Sequence, residues 1–389
     1  MQLVFWSAAA FIAYTMAGYA VCLWLLSLVI RETVRPGAVE PTISVLIVVR
    51  GGERVIEGKL CNCLEQDYPR EKVQIAVVCD GPAPATEAIV ERYAGQGVML
   101  IRAVRQGKNG CLRLGLEATS SEVVVFTDVG VTMERDALRL LACNFADSRV
   151  GCVSSEDATR PSDGNAEPMF ISFDSALRRL EGRVCTLIGA SGALFAARRS
   201  ICRRWLPVLS SDFFLPLHAI EDGLDAVVDP RVKGYLSAVR VDDEFQRKMR
   251  TIVHGIDVLE KYAHLLNPFR YGLAAWELAS HKLFRWLLPA AFLVLLVSNA
   301  FLWNAGWFYR AILCAQFAVL LAGLAAMMRP RLSRLLPFRV AGFLAIGNMA
   351  TVWAWVCYFR RERYAMWEPS KRAENKSAIK EGCEQYADQ

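Results

Sequence analysis

The chain has 389 residues, 54% of them hydrophobic, and a formal net charge of +6. Its mean hydropathy of +0.26 is higher than that of an ordinary soluble domain, which excludes a wholly soluble protein. The excess of Lys and Arg lies mainly beside apolar segments, so it indicates contact with anionic lipid and phosphate and excludes nucleic acid as the expected partner.

Four apolar segments suit membrane crossing, which needs roughly 20 residues. The first, 3–30, contains no charge. Because no basic residue precedes it and no small-residue cleavage site is clear, it is predicted to be an anchor rather than a signal peptide. The other three segments are 286–303, 307–328 and 338–359. This pattern predicts a multi-pass protein of the inner (plasma) membrane.

Basic residues at the segment ends predict the orientation, since Lys and Arg stay on the cytoplasmic side. They follow the first segment, precede the second and follow the third, so the hydrophilic middle of the chain is expected in the cytoplasm. Segment 338–359 has basic residues at both ends, and we interpret it as re-entrant or interfacial, unless the charge rule fails there. The flanking residues are Arg31, Arg35, Lys282, Arg285, Arg329, Arg331, Arg334 and Arg339.

Short apolar runs alternate with amphipathic segments between residues 43 and 128. Such alternation predicts an α/β fold with a parallel, doubly wound sheet. The predicted strands are 43–49, 73–79, 98–103 and a run ending at Asp128, and the predicted helices are 55–66, 85–93 and 111–118.

Two carboxylates, Asp80 and Asp128, each follow a predicted strand. Alone, an aspartate there is most often a turn residue. Ligands of parallel sheets bind at the carboxyl ends of the strands, so the pair, with the basic glycine loop 106–110 between them, indicates a nucleotide cleft. Asp128 is suited to hold Mg²⁺ or Mn²⁺ against a diphosphate. No G-x-G-x-x-G follows the first strand, which argues against a dinucleotide-binding domain.

An ordered set of short motifs resembles the membrane-bound inverting glycosyltransferases of family 2, a group that includes cellulose, chitin and hyaluronan synthases. The resemblance covers roughly residues 41–367. It implies a GT-A nucleotide-sugar-binding (Rossmann-like) domain flanked by transmembrane helices. The motifs are 42–50 with Glu53, Asp67-Tyr68-Pro69, Val78-Cys79-Asp80-Gly81, Gly107-Lys108-Asn109-Gly110 and Val125-Phe126-Thr127-Asp128.

The resemblance implies a division of the chain into five parts. They are an N-terminal transmembrane helix at 1–35, a cytoplasmic GT-A domain at 36–260, an interfacial connection at 261–285, transmembrane segments at 286–359 and a cytoplasmic or disordered tail at 360–389. Segment 281–286 resembles the entry into the membrane bundle, and Met366-Trp367-Glu368-Pro369 resembles the family's C-terminal tryptophan element.

Residue roles on the donor side follow from the same resemblance. Asp80 is expected to contact the uracil or ribose of a UDP-sugar, and Asp128 to bind the metal and diphosphate. Lys108 lies in the loop that approaches the nucleotide, and Glu53 is the only acid left in the loop after the first strand. The D-x-D element reads Asp128-Val129-Gly130, so its second metal ligand is missing.

On the acceptor side, the small-residue loop 188–195, which includes Ser191 and Gly192, resembles the one beneath the acceptor; a tight connection between strands is the alternative. Asp212 resembles the catalytic base, which an inverting transfer needs to take the proton of the attacking hydroxyl. Without the family, an aspartate in that position is more often a helix N-cap. The Glu221-Asp222 pair is ranked below it.

A later amphipathic segment, Asp243 to Thr251, resembles the element that closes on the diphosphate. Arg247 and Arg250 are expected to neutralise charge on the leaving UDP. The alternative is a helix lying on the membrane with its arginines toward lipid phosphates.

The sequence therefore predicts an inverting, hexosyltransferase-type enzyme that moves a sugar from a nucleotide-sugar donor to a lipid or glycan acceptor in envelope or exopolysaccharide synthesis. Transfer to a polyprenyl phosphate is one alternative. The missing acid at Gly130 supports another, a degenerate transferase fold acting as a membrane subunit or scaffold. A homo-oligomer or polysaccharide-synthesis complex is the expected assembly. The cysteines show no zinc spacing and are expected to be packing residues.

Overall fold

A mixed sheet of eight strands forms the centre of the computed structural model, which describes residues 1–30, 34–159, 168–236, 244–329, 332 and 334–361. The predicted tryptophan element at 366–369 and the tail at 370–389 lie outside these residues, as do Arg31 and Asp243. The strands are β1 (Ile43–Val49), β2 (Val73–Asp80), β3 (Val98–Ala103), β4 (Val123–Asp128), β5 (Val131–Met133), β6 (Val150–Thr159), β7 (Leu194–Arg198) and β8 (Asp225–Leu236).

Helices cover the sheet and extend from it. In chain order they are α1 (Gln2–Val29), α2 (Ile56–Leu64), α3 (Pro84–Glu91), α4 (Lys108–Ala118), α5 (Ala137–Asn144), α6 (Pro168–Val184), α7 (Arg199–Cys202), α8 (Ser211–Glu221), α9 (Glu244–Lys261), α10 (Pro268–Phe301), α11 (Trp307–Met328) and α12 (Leu336–Phe359).

The strand order is β3-β2-β1-β4-β7-β6-β8-β5. The first four strands are parallel, as predicted. The predicted parallel strands end at Asp128, and beyond β4 the sheet is mixed: β7 is antiparallel to both β4 and β6, β5 is antiparallel to β8, and β6 is parallel to β8. These pairs join segments far apart in the chain, so local periodicity carries no information on their direction.

Strand β1 lies at the middle of the parallel half, and all seven of its residues are buried. Helix α2 places Ile56 and Leu60 against one face of the sheet, and helix α4 places Leu112 and Leu116 against the other. A strand covered on both faces is expected to be mainly apolar, which explains the composition of 43–49. Its one polar residue, Ser44, is fully buried and donates a hydrogen bond to Gln74.

Among the described residues, four helices are long and apolar enough to cross a membrane: α1, α10, α11 and α12. Helix α10 starts well before the predicted residue 286, and it is interrupted at Gly272 (φ 52°) and by a π-helical segment at Ala279–Leu283. Helix α12 is one continuous helix of 24 residues. A re-entrant segment turns back within the membrane, which does not fit this continuous helix, whereas the interfacial interpretation of 338–359 stays a prediction.

Candidate active site

The carboxyl ends of three neighbouring strands place the predicted site residues along one edge of the sheet. In the register, Val49 of β1 lies opposite Cys79 of β2, and Val48 lies opposite Asp128 of β4. Asp80 and Asp128 therefore end two strands on either side of β1. The turn with Glu53 follows β1 at the same edge.

Asp80 fixes the glycine loop that precedes α4. Its Oδ1 accepts hydrogen bonds from the backbone N–H groups of Gln106 (2.8 Å) and Gly107 (3.1 Å) and from the Cys111 thiol (3.4 Å). Burial and the charge of Asp80 raise the pKa of the Cys111 thiol to about 12, so it stays protonated and can donate. Oδ2 is buried and has no partner within the described part of the chain. Such an acceptor suits a donor group of a bound ligand.

Lys108, the first residue of α4, connects two parts of this edge. Its Nζ lies 2.6 Å from Asp128 Oδ1 and donates to the carbonyl of Gly192 at 3.4 Å. The backbone N–H of Asp128 also donates to the carbonyl of Ala193, at 3.1 Å. The end of β4 is thus tied to the small-residue loop before β7.

Asp212 lies on the other side of that loop. A Cβ added at Gly192 would come within 3.0 Å of Asp212 Oδ2, and Ala190 N–H donates to the carbonyl of Asp212 at 2.8 Å. Ser210, not Asp212, holds the N-cap position of α8, so the N-cap interpretation of Asp212 is wrong. One contiguous series of contacts therefore brings Asp80, the glycine loop, Lys108, Asp128, Gly192 and Asp212 together.

The carboxylates of the lower-ranked pair Glu221-Asp222 form ion pairs outside the central series. Glu221 pairs with Arg204 at 2.9 Å and with His264 at 2.7 Å, and Asp222 pairs with Arg204 at 2.8 Å. Its carboxylates hold the end of α8 and are unsuited to take a proton from a substrate.

Two other predicted site residues, Ser191 and Glu53, do not take part in the series of contacts from Asp80 to Asp212. Ser191 is 1% exposed; its hydroxyl donates to Asp157 and accepts from Ala193 N–H at 3.1 Å. The side chain of Ser191 therefore shapes the loop and faces away from open space. Glu53 is exposed on the turn after β1, where its carboxylate accepts from Gly52 N–H at 3.1 Å.

The arginine positions lie on α9. This helix packs its apolar residues Met249, Val253 and Ile256 against Ala350 and Ala354 of α12. Arg250 is half-buried, and the side chain of Arg247 lies outside the described residues. The predicted contacts of Arg247 and Arg250 with a diphosphate stay predictions.

Sequence reasoning missed a buried lysine beneath Asp128. Lys59 of α2 is 3% exposed, and its Nζ donates to Thr127 Oγ1 (2.9 Å) and to the Val131 carbonyl (2.7 Å). Burial lowers its pKa, and the charge of the nearby Asp128 carboxylate opposes this shift. Its two bonds hold both ends of the turn that carries Asp128 and Gly130. The sequence signal that could have identified it is the position of a lysine on the otherwise apolar face of α2.

A second group missed from sequence stabilises the loop from below. Arg178 of α6 donates to Asp174 at 2.7 Å and to Asp157 at 3.4 Å, and Asp157 in turn accepts from the hydroxyl of Ser191. Burial alone would raise the pKa of Asp174, but Arg178 and other nearby cations lower it. Asp174 and Arg178 stand four residues apart on one helix, a spacing that favours an ion pair, but nothing in the local sequence pattern marks Asp157 as their partner.

A divalent cation fits this site only with the help of a substrate. Asp128 is a single carboxylate, Gly130 has no side chain, and no group of three or more His, Cys, Asp or Glu residues within the described ranges could hold a metal. Mg²⁺ sites of this kind use one or two carboxylates together with substrate phosphates and water. Asp128 would hold the ion, and a diphosphate would supply most of the other ligands.

Comparison with known proteins gives one family and several structures. Residues 44–206 match the model of Glycosyl transferase family 2. A comparison with curated protein sequences gives no match. The mannosyltransferase PcManGT from Pyrobaculum calidifontis, solved in complex with GDP-Man and Mn²⁺, has a TM-score of 0.71 at 23% identity, with 92% of this chain and 99% of that chain covered.

Two further structures are similar at lower scores. Glucosyl-3-phosphoglycerate synthase from Mycobacterium tuberculosis has a TM-score of 0.38 at 21% identity, covering 56% of this chain and 78% of that chain. TarS (1-349) from S. aureus has a TM-score of 0.44 at 15% identity, covering 86% of this chain and 97% of that chain. The family match agrees with the motif resemblance, and the similarity to PcManGT extends the shared fold over most of the chain. Residues 44–206 therefore match glycosyltransferase family 2, and the chain shares the GT-A fold, with four helices in its described part that are apolar enough to cross a membrane.

Proposed function

We propose that this protein transfers a sugar, with inversion, from a nucleotide-sugar donor to a hydroxyl group of a lipid or glycan acceptor at the inner membrane. The observation that carries the proposal is the contiguous series of contacts from Asp80 through Lys108 and Asp128 to Gly192 and Asp212. The groups that we assign to nucleoside, diphosphate and acceptor lie next to one another in this series, which supports the proposal.

Each group has a distinct task in the proposed reaction. Asp80 Oδ2 accepts a hydrogen bond from the base or ribose, and Lys108 neutralises the diphosphate as it leaves. A divalent ion at Asp128 would supply further positive charge to the diphosphate. Asp212 takes the proton of the acceptor hydroxyl while that oxygen bonds to the anomeric carbon and the bond from this carbon to the diphosphate oxygen breaks. Attack opposite the leaving group inverts the anomeric centre.

The membrane location rests on the four apolar helices and on the basic residues at their ends. Lys and Arg near apolar helices stay on the cytoplasmic side, which puts the catalytic domain next to cytoplasmic nucleotide sugars. On this proposal α1 anchors the domain, and α10, α11 and α12 form its membrane bundle, with acceptors drawn from the bilayer or from a growing glycan.

The absence of a carboxylate at Gly130 supports a second candidate, a non-catalytic membrane subunit that binds a nucleotide without turnover. The two are separated by measuring release of nucleoside diphosphate from a panel of UDP- and GDP-sugars, including GDP-Man, by the purified full chain in nanodiscs with Mn²⁺, Mg²⁺ or EDTA. Release from at least one donor is expected. Nucleotide binding with no release from any donor would support the scaffold instead.

The base assignment is tested by Asp212→Asn, with Asp222→Asn at the other end of α8 as its control. Removing a general base costs about 10²–10⁴-fold in rate. We therefore expect a loss of that size in sugar transfer for Asp212→Asn, unchanged nucleotide affinity, and near-normal transfer for Asp222→Asn. Normal transfer by Asp212→Asn would remove Asp212 from the mechanism.

A further inference from the structure

A lysine from the membrane-entering helix reaches the acceptor side of the candidate site. Lys282 lies in the π-helical segment Ala279–Leu283 of α10. Its Nζ is 5.1 Å from the centroid of the Phe213 ring, and a Cβ added at Gly189 would come within 3.4 Å of this Nζ. Phe213 follows Asp212 directly, and Gly189 belongs to the loop that contacts Asp212. The ammonium group therefore lies beside the loop and the helix start that carry Asp212.

This ammonium group forms no ion pair with a carboxylate of the described residues. The two acids whose charges act on it are Asp174 and Glu181 of α6. Asp174 is engaged by Arg178 at 2.7 Å and has Arg285 at 3.7 Å. Glu181 accepts from Tyr19 at 2.7 Å and lies 2.6 Å from His281 Nδ1. Both acids are thus committed to other partners.

The contact with Phe213 compensates only part of the cost of removing Lys282 from water. A cation over an aromatic ring is stabilised modestly, whereas taking an ammonium group out of water without a counter-charge is costly. A half-buried ammonium group of this kind is stabilised when a bound ligand supplies a negatively charged partner. The position of Lys282 therefore indicates that the acceptor itself carries negative charge.

The place of Lys282 along α10 narrows the class of anion. The helix continues from Arg285 into the apolar residues 286–301, which are suited to lie among lipid tails. Basic residues at the start of such a segment lie at the level of lipid headgroups, where phosphate groups are found. An acceptor anchored in the bilayer would present its headgroup phosphate to Lys282 and Arg285.

We infer that the acceptor is a lipid-linked sugar that carries a phosphate or diphosphate between lipid and sugar, with this anion bound at Lys282 and the sugar hydroxyl at Asp212. The inference rests on the proposed function. The bond changes are those of the proposed transfer: the hydroxyl proton goes to Asp212, the nucleoside diphosphate leaves, and the lipid's own phosphate bonds stay intact.

Equilibrium binding tests this without any need for turnover. The full chain in phosphatidylcholine nanodiscs is titrated with a fluorescent farnesyl diphosphate N-acetylglucosamine, and separately with the same sugar joined to farnesol by an uncharged glycosidic bond. Lys282→Met, Lys282→Arg and the control Lys261→Met, at the exposed end of α9, are compared with the natural chain. We expect Lys282→Met to weaken binding of the diphosphate lipid at least tenfold, and Lys282→Arg to retain most of it.

Neither Lys282 variant should change the dissociation constant for the uncharged lipid or for UDP and GDP, and Lys261→Met should match the natural chain. Equal affinity of the natural chain and Lys282→Met for the diphosphate lipid would overturn the inference, as would equal losses for charged and uncharged lipids. If the losses instead follow the content of phosphatidylglycerol in the nanodisc, Lys282 binds bulk anionic lipid and the inference fails. Absence of nucleotide release by the natural chain would count against the proposed function alone.

Discussion

Two lysines approach Asp128 from different sides. Lys59 lies under the turn and Lys108 lies beside the carboxylate. With Gly130 in place of a second acid, this turn carries less negative charge than a D-x-D element. We therefore expect a weaker site for a free divalent ion and a greater share of diphosphate binding by protein cations.

Lys59→Met tests the role of the buried amine. The change keeps most of the side-chain volume but leaves the Val131 carbonyl and Thr127 hydroxyl without their donor, which costs about 1–3 kcal/mol. We expect a lower unfolding midpoint in denaturant and weaker nucleotide binding. Lys72→Met, which removes an exposed lysine paired with Glu40, should change stability by less than about 0.5 kcal/mol. Equal stability of Lys59→Met and the natural chain would show that the two bonds contribute nothing net.

Gly192→Ala tests the contact between the loop and the proposed base. The added Cβ would lie 3.0 Å from Asp212 Oδ2, so the carboxylate has to move. A displacement of about 1 Å in a catalytic group can cost roughly 10²-fold, and we expect sugar transfer to fall by about 10- to 100-fold. Gly58→Ala, in α2 with no atom within 4 Å of the added Cβ, should transfer normally. Full activity of Gly192→Ala would separate Asp212 from the acceptor site.

The sequence pattern singled out Asp80 and Asp128 because each follows a parallel strand, whereas Asp212 was singled out by the family resemblance; the roles of all three stay predictions. It did not predict Lys59, Asp157 or Lys282. Each of these acts through a partner more than 30 residues away: Val131 for Lys59, Ser191 for Asp157 and Phe213 for Lys282. Such pairs depend on the folded topology and leave no periodic pattern.

At the scale of elements, α9 shows what a helical pattern can and cannot tell. The sequence predicted an apolar face and an arginine row, and both are consistent with the helix observed at Glu244–Lys261. The partner of the apolar face was not predictable: it is α12, rather than lipid alone. Because α9 rests on α12, one of the helices apolar enough to cross a membrane, the position of its arginines depends on how these helices pack.

Gly255→Ala tests this packing. A Cβ there would come within 2.7 Å of the Trp286 ring, so α9 or Trp286 has to shift. Inserting a methyl group into a well-packed contact lowers the free energy of unfolding by about 1–3 kcal/mol. We therefore expect a lower melting temperature together with slower transfer. Gly347→Ala in α12, where no atom lies within 4 Å, is the matched control and should melt like the natural chain. Unchanged melting of Gly255→Ala would mean that α9 is not held by Trp286.

For the molecule as a whole, the sequence predicted the bounds of regular strands and helices better than it predicted how distant segments join and pair. The strands of the parallel half and the helix Trp307–Met328 were predicted closely, because apolar length and period identify them. The beginning of α10 was missed, since Pro268–Leu278 is less apolar and is joined to the rest through a π-helical segment. The pairing directions in the mixed second half of the sheet were not predicted, because they are set by contacts between segments far apart in the chain.

The group around Arg178 connects the sheet, the loop and the membrane-entering helix, so it should affect the stability of the whole molecule. Asp174 pairs with Arg178 at 2.7 Å, and Arg285 of α10 lies 3.7 Å from it. These cations outweigh burial and hold the pKa of Asp174 below its ordinary value of 3.8. A carboxylate with a lowered folded pKa stabilises the protein fully above its unfolded pKa, and this stabilisation is lost as pH falls through the folded value.

Asp174→Asn should therefore melt several degrees below the natural chain at pH 7, with a difference that shrinks once the pH falls below about 4. Thermal unfolding of both full chains in nanodiscs between pH 3 and pH 7 measures this, and Asp222→Asn, at an exposed helix end, serves as the control for general effects of acid. The control difference is expected to be small at every pH. A difference for Asp174→Asn that stays constant down to pH 3, or a variant more stable than the natural chain at pH 7, would contradict a stabilising ion pair, because only the charged carboxylate gains from Arg178 and Arg285.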